Sequence, residues 1–305
     1  MLTELGARLL ELHVPDRDGV PADVVLARPA PDVADDSTFM GATVGRCANR
    51  IRRGRVHVDG RAVQLSVGED GHHLHGGPHG FDRRTWTAEA TDGDVTFRRT
   101  SPAGEEGYPG TLTASVTYRL SGTTLSVQMR AVTDAPTIVN LAHHSYFNLG
   151  GHDAGTALGH VLQLRGSSYL PVDDDLLPTG EIRRVDGTLF DFRTPATIGD
   201  RGVAFDHNWV LDGDGMRDVA VLDHAGSGRR MTVSTDQPGL QFYAGEHLAG
   251  ATGKGAVGTY PAFAGLALEA QNFPDAPNHS HFPSVSLLPG ETYRNDVTFV
   301  FSVRR

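Results

Sequence analysis

Cysteine is almost absent from this 305-residue chain: Cys47 stands alone, which rules out an intrachain disulfide and fits a reducing compartment. Basic side chains are in deficit, 27 Lys and Arg against 37 Asp and Glu, for a formal net charge of -10. That sign disfavours a nucleic acid or an anionic membrane surface as partner, so the expected ligand is small or neutral. No apolar run approaches the length of a membrane-spanning helix. The opening residues carry Glu4, Arg8 and Glu11 without an apolar core, which is not a signal-peptide pattern. The expectation is a soluble cytoplasmic protein. Helix signals are scarce as well, and the one short helix worth considering lies in 176–201, where Pro178, Pro195 and several glycines favour turns. The nucleophilic serine elbow, the phosphate-cradling Walker loop and the dinucleotide fingerprint are also missing.

What the chain has instead is a two-residue hydrophobic period punctuated by turns, with 37 Gly and 17 Pro. Three hairpins stand out. Val56 to Leu65 turns at Asp59-Gly60, a pair suited to the positive φ of a tight loop. Trp86 to Ala90 and Val95 to Arg99 flank Asp92-Gly93, and Thr111 to Leu120 and Thr124 to Val132 flank Ser121-Gly122. Further strands are expected at His160 to Leu164, Asp218 to Leu222, Arg230 to Ser234, Leu240 to Tyr243, Ala264 to Glu269 and Asp296 to Val303. No composition break or fixed-period repeat divides the chain, so a single domain over 1–305 is expected. So many strands need their edges closed or doubled, and an all-β, large antiparallel β-sandwich is the economical architecture.

Chemistry concentrates in five stretches. Asn140-Leu-Ala-His-His-Ser-Tyr-Phe-Asn148 packs two imidazoles, a hydroxyl, a phenol and two amides into one segment. As a strand it would turn His144, Tyr146 and Asn148 one way and His143, Ser145 and Phe147 the other. Gly41 to Ile51 feeds a glycine-bearing turn into Asn49-Arg50, whose guanidinium fork can grip hydroxyl oxygens or simply face solvent. Gly71-His-His-Leu-His-Gly-Gly77 places His73 and His75 on one strand face, so a metal set completed by a carboxylate has to be weighed against a solvated histidine loop. Phe205-Asp-His-Asn-Trp-Val210 brings a carboxylate, an imidazole and an indole together, the mix that binds sugars, though Asp-His-Asn is also ordinary turn chemistry. Finally, Glu269 closes an apolar strand, where a carboxylate is either paired or raised in pKa by desolvation. Imidazoles, carboxylates, an arginine and amides together suit proton transfer.

In Gly45-Arg-Cys-Ala-Asn-Arg-Ile51, Leu74-His-Gly-Gly77, Asn140 to Asn148, Phe205-Asp-His-Asn208, Gln241-Phe-Tyr243 and Leu268 to Asp275, the chain resembles the galactose mutarotases, or aldose 1-epimerases. The motifs follow the family's order across most of the sequence. The resemblance implies a galactose mutarotase-like supersandwich with an open sugar site on a concave sheet face, no cofactor and no metal. It also implies a small-molecule aldose as partner, in a monomer or homodimer. The implied activity interconverts α and β anomers of free aldoses such as galactose and glucose. Carried over residue by residue, Glu269 is the general base, His144 the general acid, and His75 assists at the ring oxygen. Arg50, Asn49, Asp206 and Gln241 hold the sugar hydroxyls. His143 departs from the pattern of many relatives and stays outside this set. Two rivals are weighed beside it: a non-catalytic carbohydrate-binding protein and a hexose-6-phosphate 1-epimerase, the latter needing a cluster of basic side chains that the dispersed arginines do not suggest.

Overall fold

Alternating β-branched and aromatic residues build two large antiparallel sheets whose inner faces share one core. The structure, a computed structural model, describes residues 1–202 and 204–304. The larger sheet has nine strands, in the order Thr87–Thr91, Asp94–Ser101, Leu112–Ser121, Thr124–Thr133, Tyr293–Val303, Arg229–Thr235, Arg217–Asp223, Val161–Leu164 and Ala196–Thr197. The smaller has six, in the order Tyr146–Phe147, Leu266–Gln271, Gly239–Tyr243, Asp206–Val210, Ser168–Leu170 and Arg183–Arg184. Helical segments among the described residues are short 3-10 turns, the longest being Ala30–Asp35. No helix among them is long and apolar enough to cross a membrane.

The three hairpins form where the turn residues place them. In the first, Val58 pairs with Arg61, leaving Asp59 and Gly60 as a two-residue loop at φ 49° and 73°. Pairing then runs Thr91 to Asp94 and Ser121 to Thr124 in the other two, so the third loop is centred one residue later than expected, on Gly122-Thr123. One alternative falls and one expectation needs correction. Asp206–Val210 is an interior strand of the six-stranded sheet and not a turn before one. Glu269 sits inside its strand, which continues to Gln271.

Between the sheets, Val116, Val127, Met129, Phe299 and Val233 from one layer meet Leu240, Phe242, Leu268 and Trp209 from the other. Each such side chain, once fully buried, contributes about 1.5–3 kcal/mol. The layers are also tied by a polar cross-link. The buried Asn295 Nδ2, on the nine-stranded sheet, donates to Leu141 O at 2.9 Å and to Ala270 O at 2.8 Å. With the inner face of the six-stranded sheet given over to packing, its outer face is left to carry chemistry.

Candidate active site

Register decides which side chains reach that outer face. Asn208 pairs with Gln241 and Gln241 with Glu269, while one step along Asp206 pairs with Tyr243, Tyr243 with Ala267 and Ala267 with Tyr146. Because side chains alternate along a strand, both rows project away from the core. A cavity of about 290 Å³ opens above them, close to the lower end of the roughly 300–1,000 Å³ usual for small-molecule sites.

The stretch Asn140–Asn148 forms two strands: Ala142–His144 beside Ala42–Val44, and Tyr146–Phe147 beside Leu266–Ala267. The expected alternation holds as far as Phe147 and fails at Asn148. His144 and Tyr146 line the cavity with their rings 5.0 Å apart, whereas Phe147 packs on Phe299 in the core. His143 also faces the core, held by Ser145 Oγ at 2.7 Å and the Tyr118 hydroxyl at 3.2 Å. Asn148 leaves the cavity and donates to Gly155 O and Ala264 O.

His144 and Glu269 meet on the cavity floor, Nε2 to Oε1 3.6 Å. Both are buried, and His144 Nδ1 and Glu269 Oε2 have no protein partner. Burial raises the Glu269 carboxyl well above the ordinary carboxylate range; Asp206 adds to the rise and Arg50 opposes it. Burial likewise holds the His144 imidazole down to about 4. Both shifts favour uncharged groups, so the resting pair keeps one proton, on the carboxyl.

His75 completes the cluster, its ring 5.1 Å from that of His144 at 76°. It does not share a strand face with His73. The strand His73–Leu74 ends before it, and His75 turns at φ 50°. There it is clasped by Asn49, itself at φ 60°: His75 N donates to Asn49 O at 3.0 Å and Asn49 N donates to His75 Nδ1 at 3.2 Å. The turn fits only because Gly76 lies against Gly45, where a Cβ would come within 1.6 Å of the Gly45 carbonyl oxygen. His73 is committed elsewhere, with Nδ1 on Ser66 O at 2.6 Å and Nε2 on the Tyr108 hydroxyl at 2.5 Å. A metal set containing His73 is therefore not formed. Among the described residues of the cavity, His75, His144 and Glu269 are close enough to share an ion, their potential ligand atoms lying within 4.8 Å of one another.

Arg50, on the short strand paired with His73–Leu74, reaches Asp206 at 3.6 Å. Arg50 and Asp206 form a polar wall of the cavity, and the buried Gln241, which is not among its lining residues, supports that wall by donating from Nε2 to Asp206 Oδ1 at 2.6 Å. Asn49 lines the cavity, although its side-chain oxygen accepts from Arg50 N at 2.8 Å. Trp209 does not join the cavity. It lies on the inner face, its Nε1 donating to Phe190 O, and His207 packs there against the Phe190 ring.

The aromatic surface comes instead from Tyr146, Tyr243 and Phe39, the last not anticipated from the sequence. Phe39 covers both imidazoles, 4.6 Å from His75 and 5.8 Å from His144. Its segment is braced by a buried ion pair between Arg8 and Asp36. Arg8 also donates to Met40 O, while Asp36 Oδ1 accepts from Thr38 N at 2.8 Å and Thr38 Oγ1 at 2.6 Å. Cys47 is buried behind the site with its thiol pushed up to about 12 by desolvation, which makes it inert as a nucleophile.

Comparison with known proteins gives a match over residues 1–300 to the family described as Aldose 1-epimerase. The chain belongs to that family. Human galactose mutarotase is 44% identical over 98% of this chain and 89% of its own length. The aldose 1-epimerase of Escherichia coli K12 is 37% identical over 98% and 91%. Among solved structures, a GalM/aldose epimerase homologue from C. elegans superposes with a TM-score of 0.94 at 32% identity, covering 100% of this chain and 95% of that one. The galactose 1-epimerase of Lactobacillus acidophilus NCFM gives 0.85 at 30%, covering 100% and 91%. Membership of the aldose 1-epimerase family accounts for the sandwich as a whole: both sheets fall within the matched residues apart from the end of the strand Tyr293–Val303.

Proposed function

We propose that this chain is an aldose 1-epimerase that interconverts α and β anomers of free aldoses such as galactose and glucose by proton transfer. The observation that carries the reading is the buried Glu269–His144 pair, 3.6 Å apart, both residues lining one sugar-sized cavity. In the pyranose form, a carboxylate at Glu269 takes the C1 hydroxyl proton while an imidazolium at His144 protonates O5, and C1–O5 breaks to give the aldehyde. The pair is left as carboxyl and neutral imidazole, the arrangement that burial favours. The resting site is thus matched to the open-chain sugar. After rotation about C1–C2, Glu269 returns its proton to the aldehyde oxygen, His144 removes the O5 proton, and C1 closes inverted. Arg50, Asp206 and Gln241 hold the remaining hydroxyls, with Asn49 beside them and His75 at the ring oxygen.

A binding protein gains nothing from such a dyad. A sugar phosphate would need several cations, and Arg50 is the only arginine or lysine among the lining residues. The core cluster spans both sheets from Ala7 to Phe301, which supports one domain over 1–305, and the solitary buried Cys47 supports a cytoplasmic setting. The test is Glu269→Gln, which keeps shape and hydrogen bonding but removes the base. Polarimetry of freshly dissolved α-galactose should show kcat reduced by about 10²–10⁴-fold with sugar still bound. Near-normal turnover would exclude Glu269 as the base and leave Asp206 as the candidate.

A further inference from the structure

We infer that the backbone amide of Asn49 locks His75 in a single tautomer, with Nδ1 an acceptor and the proton on Nε2, making His75 a fixed neutral donor to a sugar oxygen. The lock also prevents His75 from joining His144 and Glu269 around a metal ion. This deepens the aldose 1-epimerase reading and rests on it only for the identity of the oxygen. The geometry is independent of substrate. Asn49 N–H is a permanent donor, and it points at Nδ1 from 3.2 Å. A proton on Nδ1 would set two donors against each other and leave a buried amide unsatisfied. The amide cannot turn away, because Asn49 is fixed at φ 60° by the return bond from His75 N to Asn49 O.

Three other buried imidazoles have the opposite tautomer, while His72, whose Nδ1 accepts from Arg53 N at 3.1 Å, shares that of His75 but does not line the cavity. His160 Nδ1 donates to Ala157 O at 2.8 Å, and its Nε2 accepts from Leu149 N at 2.9 Å. His73 gives its Nδ1 proton to Ser66 O. His143 directs Nδ1 toward the Tyr118 oxygen, whose own proton goes to Ala7 O at 2.7 Å. His75 combines this tautomer with a place in the cavity lining, so that its Nε2, free of any protein partner among the described residues, carries the proton there. Burial, reinforced by His144, Arg50 and His73, lowers its pKa well below the usual 6.5, so it stays neutral at working pH. A neutral N–H hydrogen-bonds to O5 without competing with His144 for the transferred proton. Metal ligation through Nε2 would need the proton moved to Nδ1, against the Asn49 amide.

Nitrogen-detected NMR of histidine-labelled protein, with His75 assigned through His75→Asn, reads the tautomer without any activity. We expect a pyrrole-type Nε2 and a pyridine-type Nδ1 for His75, and the reverse for His73, His143 and His160. An Nδ1-protonated His75, or one that titrates near neutral pH, would overturn the lock. Zn²⁺ titration of the wild-type protein should give no tight one-to-one site, and tight binding abolished by His75→Asn would also overturn it. For function, the amide of Gln can occupy the position of Nε2, whereas that of Asn matches Nδ1. His75→Gln should therefore retain about tenfold more kcat than His75→Asn, at similar KM. Equal kcat in the two variants would refute the donor role. If Glu269→Gln left turnover intact while the NMR pattern held, the assignment of Glu269 as the base would fail and the lock would survive.

Discussion

Acid should unfold this protein through three buried histidines remote from the chemistry. His73, His143 and His160 are held neutral in the folded chain, down to about 4, about 3 and about 4, in each case chiefly because burial removes water from the imidazolium. In the unfolded chain each returns to 6.5. The unfolded state therefore binds more protons between those limits, and stability rises with pH from about 4 to about 6.5. On moving from about pH 7.5 to about pH 5 each imidazole removes about 2 kcal/mol, or about 6 kcal/mol for three. Asp82 opposes this. Its carboxyl is raised to about 6, mainly by burial, so it stabilises the folded chain as pH falls and returns about 1 kcal/mol. His75 acts in the same direction as the three. Within the active-site pair His144 acts with the three and the raised Glu269 carboxyl acts against them, so the two partly offset each other. The net loss of about 5 kcal/mol compares with roughly 5–15 kcal/mol of total stability in a typical domain. Urea unfolding at the two pH values, followed by fluorescence of the buried Trp86 and Trp209, measures it directly. His160→Gln keeps an acceptor for Leu149 N–H but cannot ionise, so it should flatten the pH slope by about a third. A change of less than about 1 kcal/mol between the two pH values would refute the reasoning.

Two further outcomes concern the site. Arg50→Ala and Asp206→Asn remove contacts to hydroxyls that do not change during ring opening, so KM should rise more than kcat falls; a pure kcat effect in the anomerisation assay would show that they act on the chemistry. Phe39→Ala admits water to His75 and His144, whose rings it now covers at 4.6 Å and 5.8 Å. Hydration favours both the imidazolium and the carboxylate, so the bell-shaped pH profile of kcat/KM should narrow from both limbs, and an unchanged width would show that Phe39 does not control the dyad.

Much of the sandwich was readable in the sequence because its signals are local. Asp59-Gly60 and Asp92-Gly93 specify tight loops within a few residues, and the strand period follows from side-chain alternation. The same alternation, applied to 206–210, would have separated Asp206 and Asn208 from His207 and Trp209. Treating those neighbours as one cluster is what wrongly placed the indole against the sugar. Other features depended on distant partners. The turn that diverts His75 from His73 exists because of Asn49, 26 residues away. Phe39 is aimed by the Arg8–Asp36 pair, 28 residues apart, and nothing in the composition of its own segment announces that. Glu269 and His144 were legible as chemistry because polar groups interrupt apolar strands, but their 3.6 Å approach required the sheet register.

The strand that carries Glu269 is paired along its length with Gly239–Tyr243, flanked at its start by Tyr146–Phe147, and pinned from below where Ala270 O accepts from Asn295. Phe39 and His75 arrive on separate segments with anchors of their own, the Arg8–Asp36 pair and the Asn49 clasp. The Glu269 carboxyl is therefore mounted on a stiff chassis, while Phe39 and the loop around it form part of the cavity wall as a separate fitting. Substitutions in those loops can change which aldose is accepted without moving Glu269. One framework could in this way diversify across sugars while its proton chemistry stays constant.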